Sequence, residues 1–154
     1  MEGCNETTLA NDTETKLTAK GTKVILKGNI IKLYCYNNQL TELDVQGLTT
    51  LQKLDCSNNQ LTALNVQGCT ALKKLECWKN KLNADVFTKL FNDLPKWEES
   101  DGAKAVLYVD RAGITEDNCK DFNTPTELKT AFENAKNVKH WKMQKTNGYL
   151  EEDI

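Results

Sequence analysis

Leucine, asparagine and cysteine return along this chain at a fixed step of 21 residues. Leu33, Leu54 and Leu75 keep the step, as do Asn38, Asn59 and Asn80, Leu40, Leu61 and Leu82, and Ile30, Leu51 and Leu72. Over two turns of the pattern Leu43 matches Leu64, Val45 matches Val66 and Gly47 matches Gly68. A period of this length is one supersecondary unit, too small to bury its own apolar side, so successive units must stack on one another. Side chains alternate around Leu54 and Cys56, which predicts a short strand with those two pointing inward. Asn59 falls at the following bend. There an amide side chain can satisfy open backbone groups of its own coil and of its neighbour.

The same step decides how the cysteines are read. Six in a short secreted chain would imply a disulfide framework. Cys35, Cys56 and Cys77, however, are spaced by the repeat and not by pairing. Three thiols on adjacent strands, roughly 4.8 Å apart, are either metal ligands or packing. No CxxC and no nearby histidine accompany them, and Cys69 takes the place of Leu48 in its own column. They read as small apolar side chains, and neither metal nor cofactor is expected.

With 154 residues, 39% hydrophobic and 27% charged, the chain fits one globular domain burying roughly 70% of its unfolded surface. A net charge of −2 argues against nucleic-acid binding, which wants a strongly basic face. No apolar run approaches the ~18 residues of a membrane span. Met1 to Asn11 shows neither a basic n-region nor an apolar core, so no signal peptide is read in this chain.

Three stretches follow. Residues 1–29 form a polar tail and an amino-terminal cap, with Lys23 to Lys27 as a strand and Gly28-Asn29 as a turn; 30–82 hold three repeats; 83–154 leave the step. In the last stretch Phe87, Leu90, Phe91 and Leu94 mark an amphipathic helix ending at Pro95. Ala105 to Val109 reads as a buried strand, and Thr124-Pro125-Thr-Glu127 as a capping box with proline at the first helical position. Leu128, Ala131, Phe132 and Ala135 give a second helix, and Val138 to Met143 a final strand. The fold class is α/β: a short solenoid with a parallel sheet on its concave face, an amino-terminal cap and a carboxy-terminal strand-helix-strand extension. Strands near Leu33, Leu54, Leu75, Leu107 and Trp141 should lie parallel in that order. Lys139, Lys142 and Lys145 would then guard an exposed edge strand. The triplets at Asn5 and Asn11 match glycosylation sequons but read as chance occurrences.

The copy from Leu51 to Leu61, LxxLxCxxNxL, resembles the leucine-rich repeat signature. The runs from Leu40 to Gly47, Leu54 to Thr62 and Leu61 to Gly68 resemble bacterial surface leucine-rich repeat proteins of the BspA type, which also favour cysteine in the strand. The runs Leu82 to Pro95 and Gly113 to Asn118 are similar to the closing region of such proteins. The resemblance implies a non-enzymatic, cell-surface or secreted protein that adheres to host matrix, host cells or other bacteria. Two departures stand out: the array of three regular repeats is short, and no export signal is visible.

Strand alternation puts Lys32, Tyr34 and Tyr36, then Lys53, Asp55 and Ser57, then Lys74, Glu76 and Trp78 on the outer face. The candidate partner-binding set is Tyr34, Tyr36, Asp55, Ser57, Glu76 and Trp78, because exposed aromatics are typical interface anchors. Ser57 would leave a gap between the rings of Tyr36 and Trp78, with flanking carboxylates favouring a basic partner residue. A monomer that binds a protein partner, from host extracellular matrix or another cell surface, is expected. A structural spacer within a larger surface protein is one alternative. The other is a thiol enzyme built on Cys119, outside the repeat columns, and the single histidine, His140.

Overall fold

The computed structural model describes residues 29–154 and the backbone of residues 23–25. The expected tail over 1–20, both sequons, Lys27 and Gly28 lie outside the described residues. The chain is a mixed α/β fold with a mostly parallel sheet and two helices. None of its described helices is long and apolar enough to cross a membrane.

The first two repeats contribute two short strands each, where the sequence pattern predicted one, and the third contributes one before running into a helix. Strands β2 (Lys32–Tyr34), β4 (Lys53–Asp55) and β6 (Lys74–Glu76) carry the leucine two places before the cysteine of each repeat, and pair in parallel with Leu33, Leu54 and Leu75 aligned. Strands β1 (Lys23–Ile25), β3 (Glu42–Asp44) and β5 (Ala63–Asn65) form a second parallel sheet with Leu43 aligned to Leu64. Leu43, Val45, Leu64 and Val66 are buried, and Leu43 and Leu64 stand in the ladder of this second sheet. Gly47 and Gly68 turn the chain out of this second sheet at φ 74° and 77°. A Cβ on Gly68 would come within 3.4 Å of the Gly47 backbone. The stacked turns therefore hold glycine for two reasons, backbone angle and closeness.

The first sheet continues through β7 (Lys104–Val109) and β8 (Lys142–Thr146), both parallel, in the order β2-β4-β6-β7-β8. Helix α1 (Ala84–Asp93) connects β6 to β7, and α2 (Thr126–Asn137) connects β7 to β8. Asn83 caps α1 by accepting from the Val86 amide at 3.0 Å. Phe87, Leu90 and Phe91 on α1 and Leu128, Ala131 and Ala135 on α2 are buried. Between the helices Phe122 stacks on Phe132 at 4.8 Å and meets Phe87 and Phe91 edge-on. The sequence offered no sign of Phe122 as a core residue, because it stands alone in a polar stretch with no period.

Three expectations are corrected. Strand β8 is not the edge of the sheet: β9 (Glu151–Asp153) folds back and pairs antiparallel with it. Lys139 and Lys145 are used otherwise. The Lys139 ammonium donates to the carbonyls of Phe91, Asn92 and Leu94, and Lys145 pairs with Asp110 at 2.8 Å. The final strand starts at Lys142, since Val138 ends α2 as its C-cap. The capping box does not form either. Pro125 is itself the N-cap of α2, with no side-chain cap bond, and Thr124 donates to Asp121 instead.

Candidate binding face

The outer face of the repeat sheet is organised by an asparagine ladder behind it. Asn59 donates to the carbonyls of Cys35 and Cys56 and accepts from the Leu40 amide at 3.2 Å. Asn80 repeats this one coil on, donating to Cys56 and Cys77 and accepting from Leu61 at 3.0 Å. Asn118 repeats it again, donating to Cys77 and Leu107 and accepting from Leu82 at 2.9 Å. Each amide thus closes backbone groups of two coils, which holds the strands in register. Asn118 escaped the periodic reading because an insertion separates it from β7, although its bonds are those of Asn59 and Asn80.

Register then fixes the columns seen from outside. Leu33, Leu54 and Leu75 are buried, so their neighbours along each strand face outward. Tyr34, Asp55 and Glu76 form one aligned column. Tyr34 and Tyr36 are exposed at 46% and 50%, while Asp55, Glu76 and Trp78 are half-buried. Lys53 links two strands, with its ammonium 5.1 Å from the Tyr34 ring centre and 3.6 Å from Glu76. The structure therefore brings Tyr34, Asp55 and Glu76 together across adjacent strands.

Ser57 departs from the expectation. It is only 2% exposed, and its hydroxyl donates to Asp55 at 2.7 Å while its amide donates to the same oxygen at 3.1 Å. The open gap between the rings of Tyr36 and Trp78 is absent, because the small side chain is covered and turned to its own strand. One oxygen of Asp55 is thus held by Ser57, and Glu76 is already paired with Lys53.

Behind the face the cysteines pack. Cys56 and Cys77 are buried in the sheet column, and Cys69 is buried in its own. Burial pushes the thiols of Cys56 and Cys77 well up. It also carries Cys69 from its ordinary 9.0 to about 11, offset in part by a backbone hydrogen bond. Cys69 donates to the Val45 carbonyl at 3.1 Å. None of Cys56, Cys69, Cys77 and Cys119 forms a disulfide. No group of three metal-ligating side chains is found among the described residues. Cys119 gives its S–H to the Asp121 carbonyl, and burial raises its thiol too. That is the opposite of what an activated thiolate needs.

Residues 28–68 match the family model for leucine rich repeats, in two copies. No curated protein and no solved structure matches the chain. The hydrogen bonds of Asn80 carry the same arrangement one coil beyond the matched segment. Residues 28–68 are thus similar to leucine-rich repeats, a unit whose usual role is protein interaction.

Proposed function

We propose that the chain is a non-enzymatic protein-binding module, a short leucine-rich repeat solenoid capped at both ends. Its concave face, carrying Tyr34, Tyr36 and Trp78, engages the partner. One observation carries this reading. Two tyrosines stand half exposed, Tyr34 at the end of β2, whose inner side chain Leu33 is buried, and Tyr36 two residues past it. Rigid aromatic side chains of this kind supply anchoring area at low entropic cost. The resemblance of residues 40–68 to BspA-type repeats supports a surface or secreted setting, with adhesion to host matrix or to another cell.

Pull-down from solubilised extracellular matrix tests it, using the parent chain and the Tyr34→Ala/Tyr36→Ala variant. Loss of an anchor worth about 2 kcal/mol weakens binding roughly thirtyfold, and both side chains lie outside the core. The parent should retain a matrix protein that the variant releases. If the folded variant retains the same protein equally well, the aromatic face is not the site.

A further inference from the structure

Lys32, Lys53, Lys74, Lys104 and Lys142 stand opposite one another across five parallel strands. At the usual strand spacing the column is about 19 Å long. Like charges placed directly opposite destabilise a sheet, so a row of five needs a compensating charge. Among the described residues it is supplied at two places: Lys53 reaches Glu76 and Lys104 reaches Glu151. Lys32, Lys74 and Lys142 are exposed and make no ion pair among the described residues. Paired and unpaired lysines alternate, leaving an uncompensated ammonium about every 9.6 Å. On the same face Glu76 is paired with Lys53, while Asp55 keeps its charge with one oxygen held by Ser57, one carboxylate against the three unpaired lysines. The charge left for a partner is positive.

We propose that this column receives an acidic helical segment of the protein partner, laid across the strands; the inference rests on the binding-face reading above and names its partner chemistry. Seven residues of α-helix advance about 10.5 Å, so carboxylates once per heptad on one helix face meet Lys32, Lys74 and Lys142 in turn. Flexible lysine stems absorb the small difference. An extended segment repeats its same-face side chains every ~6.8 Å and falls out of step. A uniform polyanion, such as nucleic acid or a sulfated polysaccharide, would also meet Asp55, Glu76 and Glu151, whereas a helix acidic on one side does not. Tyr34 and Tyr36, at the end of the column that Lys32 begins, remain available to another face of that helix.

The probe is a helical peptide of three heptads with one glutamate per heptad on a single face, beside its glutamine counterpart. Binding is read by fluorescence anisotropy at low and at physiological salt. The parent should bind the glutamate peptide at least about tenfold more tightly than does Lys32→Glu/Lys74→Glu/Lys142→Glu, with the gap narrowing as salt rises. Lys→Gln at the same three positions shows the same loss in smaller measure, should the reversed variant fail to fold. Equal binding of both peptides, or none by either, overturns the proposal. So does tighter binding of a sulfated oligosaccharide than of the glutamate peptide. A lysine-dependent signal that survives Tyr36→Ala supports the column and counts against the aromatic anchors. A signal lost in Tyr36→Ala but unchanged by charge reversal overturns the column and keeps the anchors.

Discussion

Asparagine at the bend bridges two coils at Asn59 and Asn80, whereas Asn38 donates to the Cys35 and Tyr36 carbonyls of its own coil, and the surroundings differ as well. Asn38 is exposed, Asn59 half-buried and Asn80 buried. Removing a buried amide that serves two carbonyls and one amide leaves groups that water cannot reach, each costing roughly 1–3 kcal/mol. Asn80→Ala should therefore lower unfolding stability by about 3 kcal/mol or more, while Asn38→Ala should cost under about 1 kcal/mol. Urea denaturation of both variants checks the difference, and equal losses would mean that the ladder is not held by burial. The buried thiols give a second residue-scale test. The unfolded chain ionises its thiols from about pH 8.5, whereas Cys69 in the folded chain holds its proton to about 11. Stability from this group is complete below the unfolded value and declines as pH rises between the two. Cys69→Val should show a shallower decline in urea stability from pH 9 to 11 than the parent. An unchanged slope would contradict the burial of Cys69.

At the scale of elements, helix α1 ends without a basic residue in its last turn. The positive charge comes from elsewhere in the chain: Lys139, just past α2, donates to the Phe91, Asn92 and Leu94 carbonyls at 2.7 to 3.0 Å. A cation at a helix carboxy terminus is worth up to ~2 kcal/mol in partly buried settings. Lys139→Met should thus cost about 1–2 kcal/mol in thermal or urea unfolding, while Lys142→Met, on the open face, should be nearly neutral. Sequence spacing located both helices within a residue or two, because amphipathic periodicity is local. It could not show that one helix is capped by the segment after the other. That contact spans 45 to 48 residues. The second sheet was hidden for a related reason. Leu43 with Val45 and Leu64 with Val66 alternate over too few residues to distinguish a strand from filling.

On the scale of the whole molecule, the sheet has one end closed by its own chain. β9 pairs with β8 through Gln144 opposite Asp153, Lys145 opposite Glu152 and Thr146 opposite Glu151. Lys104 also reaches Glu151, and Gln144 donates to Asp153 at 2.8 Å. Deleting residues 148–154 would leave the backbone donors and acceptors of β8 open, a template for pairing with another chain. The truncated protein should self-associate at concentrations where the parent does not, as read by sedimentation velocity. Unchanged sedimentation would mean that the lysines of β8 protect the edge without help.

The 21-residue step alone was enough to determine the parallel order of β2, β4 and β6, the leucine and cysteine columns behind them and the asparagine at each bend. Stacking identical units allows only one register, and every in-register position then inherits its surroundings. Alternation also placed Tyr34 and Tyr36 on the exposed side correctly. What lay beyond reach was anything joining residues far apart without a period: Asn118 taking the fourth place in the ladder, Phe122 between the helices, and β9 over β8. The charge of the candidate face belongs to this second class. Sequence shows Asp55 and Glu76 beside the lysines, but only the folded arrangement assigns each carboxylate to Ser57 or Lys53 and leaves Lys32, Lys74 and Lys142 without an ion pair among the described residues. Periodicity specifies which residues are neighbours, whereas the pairing of long polar side chains depends on distances that exist only once the coils have stacked.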